Sequence, residues 1–596
     1  MNECHEPETK CPAPVGKERK VKFKPAPSLH KLDPSLERIR DTTPKLPASQ
    51  KAGTALRIVL WTLLATSAIL LPVYHFRTYR AGFHSDGAFR NIVAAEILRT
   101  GQFFPPQFVF VNDIPVFNGH IFIALFALFG ANPNTYFMNA LSGFIDSLFL
   151  IGTVAFLFKI AKASLVARLL GFAVIMSGVS ERLLEMLYGQ NAYGPLAIEM
   201  LLPLGLAYVV LFEAERRRKF LSAVVFFFIA IAVMSMSGPR GLITVTAPLS
   251  LTVVVMAVKE CRDLADVYQC GRRAATLAFS GLLGTTIGTV VFLYARHHTA
   301  YVAPHVEQTF ASVDEIGTHI GQFLSGSLYY FGALPIAGRS PYSIYGLFTA
   351  YRLPVAIFFL SLPFFLLFHY KHIRSRFLRF ALLFYLFEFI SLVYFFIFGH
   401  VAVNIESYRY FANALLLLIV IASLSVDEIR TGRWRQNFVL AVIVTGLSPL
   451  LLSAYAITSC DFFHQIPRTG LGGTSHLSNP HDLLAQTLAA HGLRYGYATY
   501  WNAAVTTVLS NGASQVRQVL ITSDGKFLPF RHLASRDWYR ADYYRGPTFL
   551  IVADDEVFDR AFLQQMCGPA QETIRIAFYT VLVFPFNVAS RLPGWD

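Results

Sequence analysis

Apolar runs of about 20 residues recur along most of this chain and constrain it more than any other feature. A helix of that length spans the ~30 Å hydrocarbon core of a bilayer. In lipid each backbone amide and carbonyl must be satisfied within its own segment, so the runs are read as helices. Of 596 residues, 54% are hydrophobic and only 15% charged, against ~25% charged in a soluble domain. Mean hydropathy is +0.46. Period-two alternation is not dominant, which argues against a membrane barrel. The expected fold class is mainly α: a polytopic membrane protein with about 11 transmembrane helices and a C-terminal α/β or α+β domain outside the membrane.

The expected spans are Ala55–Tyr74, Thr135–Phe158, Val166–Gly178, Gly194–Leu211, Phe220–Met236, Leu242–Val258, Ala275–Tyr294, Leu347–His369, Phe377–Phe398, Phe411–Leu424 and Phe438–Ile457. The third and tenth are short. With the N-terminus in the cytoplasm, the five inner loops are KIAKASLVAR, ERRRK, KECRDLADVYQCGRR, KHIRSRFLR and RTGRWR, which hold 18 Lys and Arg. The outer loops between spans hold 9 in more than twice the length. Cytoplasmic loops of membrane proteins carry this excess, so the alternation fits at every turn. The same distribution explains the net charge of +14 as topology, and a nucleic-acid partner is not expected.

Three regions follow. Residues 1–54 are polar, basic and rich in Pro, and are expected to form a disordered cytoplasmic tail with no cleaved signal. Residues 55–457 form the transmembrane domain, with a first outer loop at 76–133 and a long outer loop at 295–346. Residues 458–596 form the external domain, in which VRQVLI, TFLIVA and IAFYTVLVF read as strands and DLLAQTLAAHG as a helix. Cys4, Cys11, Cys261 and Cys270 fall inside, whereas Cys460 and Cys567 fall outside. Two cysteines in an oxidising compartment suggest a disulfide, with two unrelated buried thiols as the alternative. No Cys or His grouping has zinc-site spacing. The simple charge pattern points to a bacterial inner membrane.

The first outer loop is patterned. In HSDGAFRNIVAAEILRTGQFF, Phe89, Val93, Ile97 and Leu98 recur near helical spacing, and Ser85 or Asp86 is placed to cap the N-terminus. An extended, Pro-broken stretch follows, PPQFVFVNDIPVFNGH. Then comes HIFIALFALFG, apolar but too short to span, which reads as an interfacial or re-entrant helix.

This order of span, acidic helix, extended loop, interfacial helix and span resembles the GT-C glycosyltransferases, polytopic enzymes that use polyprenyl-phosphate sugars. The protein O-mannosyltransferases and the lipid A aminoarabinose transferase belong to that superfamily. Further likenesses are IFIALFALFGANPNTYFMNALSG before span two, SGPRGL after span five and ESYRYFANALLLL at span ten. The resemblance covers residues 55–457 in layout and three or four short stretches in sequence. Many relatives carry Asp-Glu at the first acidic site, where this chain has Asp86-Gly87.

The resemblance implies transfer of a sugar from a polyprenyl-phosphate donor to a lipid, glycan or protein acceptor on the outer face. That chemistry needs a carboxylate for the acceptor and for oxocarbenium-like charge. It also needs a cation for the phosphate, a role arginine fills because its fork matches phosphate oxygens. Asp86 is the first choice of carboxylate, with helix capping as the structural alternative, and Asp113 the second. Glu181 and Glu185 are more readily explained as solvated or paired with Arg182. Arg409, flanked by Tyr408 and Tyr410, and Arg240 are the leading phosphate ligands; Arg339 and His319 are weaker. The substrate-binding set is thus Arg240, Arg409, Tyr410 and Arg339. His297, His298 and His305 are scattered unlike a ligand set, so no cofactor is expected and a divalent metal is the less favoured alternative. In the external domain, YGYATYW and SRDWYRADYYRG offer aromatic faces for sugars or for a small core, and Asp554, Asp555 and Glu556 form an acidic turn.

Two rival readings remain at this point. A transporter or flippase would use ionisable groups within spans, for which Asp146 and Glu388 are the obvious acidic residues. A non-catalytic scaffold would make Asp86 and Arg409 replaceable.

Overall fold

The computed structural model describes residues 48–429 and 479–595, apart from short stretches at 112, 179, 191, 261–263, 303–308, 336–339 and 343. Among the described residues, nine helices are long and apolar enough to cross a membrane: Arg57–Gly82, Tyr136–Ile160, Gly194–Glu213, Arg217–Met236, Leu242–Lys259, Tyr268–His298, Thr349–Phe368, Arg376–Phe398 and Ile405–Glu428. The expected third span is the apolar helix Leu165–Ser177, only 13 residues long. The expected tenth is longer than its apolar run, because the 3-10 turn Ile405–Phe411 leads into it. The expected eleventh, Phe438–Ile457, lies outside the described residues, as do residues 1–47 of the expected tail 1–54; its last residues, from Ala48, belong to the helix Ala48–Val73.

Contacts between loops test the alternation. Loops assigned to the outer side meet one another. The Ile114 amide donates to Ser237 O at 3.0 Å, and the Val302 amide to Phe110 O at 2.9 Å. Ser180 donates to Tyr330 O, and Tyr330 to Glu406 O at 3.3 Å. Inner loops likewise meet inner loops. Asp427 accepts from the Ser164 amide at 2.7 Å, Glu428 from the Arg374 and Ser375 amides, and Arg273 reaches Leu211 O and Ala214 O. The pairing of loops by side follows the order read from charge.

The first outer loop takes the expected order. Helix Ser85–Thr100 is followed by an extended stretch containing β1 (Phe108–Val109), then by the eight-residue helix His120–Ala127. One local expectation is corrected. Neither Ser85 nor Asp86 caps the first helix; the cap position is His84, with no side-chain bond, and both residues lie in the first turn. The helix is also enclosed on more than one face, with Arg90, Asn91 and Glu96 buried beside Val93. Arg90 Nη2 donates to Asn139 Oδ1 at 2.8 Å and to Gly189 O at 3.0 Å. Asn139 in turn donates to Gly87 O and Asn91 Oδ1, which fixes the helix against span two.

The external domain is a mixed sheet. Its strands are β2 (Tyr495–Thr499), β3 (Gln515–Ile521), β4 (Phe527–Pro529), β6 (Thr548–Ala553), β7 (Glu572–Ile576) and β8 (Tyr579–Phe584), in the order β4-β3-β2-β6-β8-β7. The central β3, β2 and β6 are parallel and the flanking pairs antiparallel. Of the two expected classes, the centre is α/β. All six residues of TFLIVA in β6 are buried, as an inner parallel strand requires, whereas edge strand β7 is mostly exposed. Leu484, Leu488, Ala498, Phe549, Ile551 and Val581 fill the core.

Residues 57–596 form one compact unit, because the domain docks on the first outer loop. β5 (Ala534–Ser535) pairs antiparallel with β1. Asn479 Nδ2 donates to Arg80 O at 2.9 Å and Phe83 O at 2.7 Å, and Arg80 pairs with Asp482 at 2.7 Å. Trp538 Nε1 donates to the buried carboxylate of Glu96 at 2.8 Å.

The domain carries a titratable core residue. His481 is buried, and its ring nitrogens meet Asn479 Oδ1 at 3.0 Å, Asn502 Oδ1 at 2.9 Å and the Tyr579 hydroxyl at 3.0 Å. Burial pushes its pKa down to about 4, against the partial opposition of Asn502 and Asp482. The folded state resists a proton that the unfolded chain accepts near pH 6.5, so the stabilisation is full above about 6.5 and is lost as pH falls towards about 4. The loss is on the order of 3 kcal/mol. Melting the full chain in detergent across that window should show a steeper fall in Tm for wild type than for His481→Gln. Equal slopes would sink this assignment.

Candidate functional site

The site is assembled where the outer loops meet the external domain. Helix Ser85–Thr100 places Asp86 in its first turn, half-buried. Its carboxylate accepts a hydrogen bond from the Tyr500 hydroxyl, on the first residue of helix Tyr500–Leu509 in the external domain. Burial and the Asp86 charge hold the Tyr500 pKa well above that of an ordinary phenol, so the hydroxyl stays a donor. The residue after Asp86 is glycine for a local reason. A Cβ at Gly87 would stand 2.6 Å from the Tyr79 hydroxyl and 3.1 Å from the Phe83 ring. A side chain in place of Gly87, such as the Glu of an Asp-Glu pair, would have to displace the Tyr79 hydroxyl.

Arg409 is within electrostatic range of Tyr500, Tyr193 and Tyr330. It lies on the 3-10 turn Ile405–Phe411, which is capped by Asn404 and anchored by the fully buried Tyr408. Tyr410 is shared by two cations, the Arg409 guanidinium carbon at 5.7 Å from its ring centre and that of Arg240 at 5.3 Å. Arg240 also lies 5.2 Å over the Tyr193 ring and pairs with Asp113 at 3.6 Å. Burial works to lower the Arg240 pKa, but Tyr193, Asp113 and Tyr410 outweigh it and raise it. Burial raises the Asp113 pKa against Arg240's opposition. The local backbone explains the pairing. Ile114 is bonded to Ser237 O, and Gly238 has φ +136°, a conformation that favours glycine and turns the chain so that Arg240 faces Asp113.

The structure therefore links Asp113, Arg240, Tyr410 and Arg409 through an ion pair and shared ring contacts, with Arg409 within electrostatic range of Tyr500, the hydrogen-bond partner of Asp86. Arg339 and Cys460 lie outside the described residues; Cys567 is a free, buried thiol that ends helix Arg560–Cys567. Other candidates are occupied elsewhere. Glu185 takes Arg182 at 3.1 Å and His84 at 3.0 Å. Glu181 opens the short helix Glu181–Leu184. His319 bonds Ile397 O, His298 stacks on Tyr294, and His305 is outside the described residues. Asp554 pairs with Arg575, Asp555 is exposed, and Glu556 accepts from the Thr499 hydroxyl and the Ala553 amide. Of the two in-span acids, Asp146 is within electrostatic range of Arg90, and Glu388 is buried in its own helix. Among the described residues, no group of three or more His, Cys, Asp or Glu is placed to hold a metal ion.

Sequence reasoning missed Tyr193 and Tyr500. The Tyr193 ring lies under the Arg240 guanidinium at 5.2 Å, and Tyr193 is within electrostatic range of Arg409. Tyr500 lies in the aromatic stretch YGYATYW, but nothing in the sequence ties that stretch to Asp86, 414 positions away. Beside Tyr500 opens a cleft of about 530 Å³ in the external domain, walled by Trp501, Phe530, His532, Thr499 and Glu556.

No protein-family model matches the chain, and no curated protein matches it. Among solved structures it is similar to the archaeal oligosaccharyltransferase AglB from Archaeoglobus fulgidus, in complex with an inhibitory peptide and a dolichol-phosphate. That match has 12% identity and a TM-score of 0.46, and covers 90% of this chain and 77% of the other. It is also similar to ArnT from Cupriavidus metallidurans, with 12% identity and a TM-score of 0.47, covering 91% of this chain and 99% of the other. Both names fall in the class that the sequence resembles, but likenesses this distant identify neither activity nor substrate.

The Arg240–Asp113 pair gives a direct test of the geometry. Its side chains are 27% and 31% exposed, so solvent screens part of the attraction. Arg240→Met should cost about 1–2 kcal/mol by leaving Asp113 without its counter-charge, and adding Asp113→Asn should recover part of that loss. Strictly additive losses in the double variant, measured by thermal melting, would show that the two do not interact.

Proposed function

We propose that this chain is a membrane glycosyltransferase that moves a sugar from a polyprenyl-phosphate donor to an acceptor at the outer membrane surface. The observation that carries the reading is the convergence just described. Two arginines share the Tyr410 ring beside a membrane-spanning bundle, and one of them is within electrostatic range of Tyr500, which bonds the Asp86 carboxylate.

In the proposed reaction an acceptor hydroxyl oxygen forms a bond to the anomeric carbon of the donor sugar. The bond from that carbon to the phosphate oxygen breaks, and its electron pair leaves on the polyprenyl phosphate. Asp86 takes the acceptor proton, and its negative charge offsets positive charge developing on the sugar ring. Arg409 and Arg240 stabilise the departing phosphate, each through a planar fork that stays charged. Tyr500 orients the Asp86 carboxylate. Asp113, at 3.6 Å from Arg240, serves as that arginine's counter-ion and not as the base. The membrane supplies the lipid half of the donor. The N-terminus is placed in the cytoplasm of a bacterial cell and the domain outside the inner membrane, as the charge distribution suggests.

The test is sugar transfer by lipid-reconstituted protein, with a panel of radiolabelled polyprenyl-phosphate sugars and envelope extract as acceptor. Asp86→Asn should lower transfer by ~10²–10⁴-fold, the range for loss of a general base, at unchanged Tm. Arg409→Met should weaken donor use more than acceptor use. Equal transfer by Asp86→Asn would remove Asp86 from the chemistry, and absence of both transfer and donor binding would overturn the reading.

A further inference from the structure

The cleft beside Tyr500 is built in a particular place. Strand β2 is followed by helix Tyr500–Leu509 and then by β3 on one side, while β6 lies on the other side of β2. Chain order therefore reverses at β2. In open α/β sheets, ligands bind at the carboxyl ends of the strands at such a reversal. Thr499 and Ile521 end β2 and β3, Glu556 follows β6, and all three line the cleft.

Its walls are aromatic and rigid. Phe530 and His532 stack with centres 5.2 Å apart at 9°, and both meet Tyr500 edge-on, at 5.9 and 5.5 Å. Trp501 stands at 78° to Tyr500, with 57% of its surface exposed. The polar groups are few and fixed. Glu556 accepts from the Thr499 hydroxyl, from the Ala553 amide at 2.8 Å and from Asn502 at 3.3 Å. Thr522 adds a hydroxyl at the rim.

This chemistry selects among ligands. The described wall carries one carboxylate and no lysine or arginine, so a phosphate or another anion finds no counter-charge. Strands β2 and β3 are each paired on both sides, so an extended peptide finds no open edge there. Aromatic faces beside fixed hydroxyl and carboxylate acceptors suit a neutral polyhydroxylated ring, whose C–H face packs on the aromatic and whose hydroxyls bond at the rim. We propose that this cleft binds a neutral saccharide, the glycan portion of the acceptor, and presents it towards Asp86 across the Tyr500 ring. The identification of that saccharide as acceptor rests on the transferase reading; its binding does not.

The experiment is saturation-transfer NMR on the full chain in lipid nanodiscs. The neutral probes are maltose, cellobiose, chitobiose and mannobiose, with glycerol 3-phosphate and a neutral tetrapeptide as controls. At least one disaccharide should receive saturation, and Trp501→Ala and Phe530→Ala should each weaken its binding by roughly threefold to tenfold, the size of a lost aromatic contact, with Tm retained. No transfer to any disaccharide, equal transfer to both variants, or binding of phosphate or peptide in their place would overturn the proposal. The two readings fail separately. Saccharide binding without sugar transfer from any donor sinks the transferase and leaves the cleft. Sugar transfer with an unaltered acceptor KM in both variants sinks the acceptor role and leaves the transferase.

Discussion

Helix Ser85–Thr100 is gripped from two directions, and the geometry of the outer surface depends on that grip. From the membrane side, Arg90 and Asn139 bond it to span two and to the Gly189 carbonyl. From the external side, Trp538 bonds Glu96 and Tyr500 bonds Asp86. Both buried charges on the helix, Arg90 and Glu96, would be costly without partners. Arg90 is bonded by the bundle, whereas Glu96 takes Arg99 of its own helix at 2.8 Å and Trp538 of the external domain. The polar residues on this short helix thus specify docking as much as stability, and they place Asp86 at the seam.

The two aspartates of the first outer loop have different surroundings, and the difference sorts their roles. Asp113 faces a guanidinium at 3.6 Å, in a loop tied to the Ser237 carbonyl. Asp86 faces a neutral phenol donor, the Tyr500 hydroxyl. Asp113 thus has a cationic partner, whereas Asp86 is held by a hydroxyl donor. The same contrast separates Glu185, which is paired to Arg182, from Asp86.

What was legible in the sequence was whatever has local physical cause. Span positions followed from apolar length, and the sides of the loops from Lys and Arg placement. The acidic helix was visible as a periodic segment after the first span. Its cap was misread, because Ser85 and Asp86 satisfy the capping pattern, whereas Asp86 is drawn to Tyr500 by a contact 414 positions distant. The apolar stripe through Phe89 and Val93 was visible too, yet burial of Arg90 and Glu96 on the same helix was not. Burial of a charge depends on the partners that satisfy it, and besides Arg99 on the same helix these include Asn139 and Trp538, which lie on other elements. Arg240 and Arg409 were chosen from their own neighbourhoods. Tyr193, which lies under Arg240 and within electrostatic range of Arg409, stands in a short loop with no pattern of its own.

The distribution of charge around Tyr500 gives the seam a direction. On its membrane side lie two arginines, with the tyrosines that share their charge. On its external side the cleft wall offers aromatic rings, hydroxyls and one carboxylate, with no described cation. On the proposed reading, and among the described residues, a phosphate would meet complementary charge at the arginines and an uncharged ring a fitting surface in the cleft. Approach of either group from the wrong side would leave a phosphate against Glu556 or an aromatic wall unfilled. The side-by-side placement of these two environments sets orientation by electrostatics before any contact is optimised. Tyr500, which bonds the Asp86 carboxylate, lines the cleft and is within electrostatic range of Arg409, so it is the residue common to both environments.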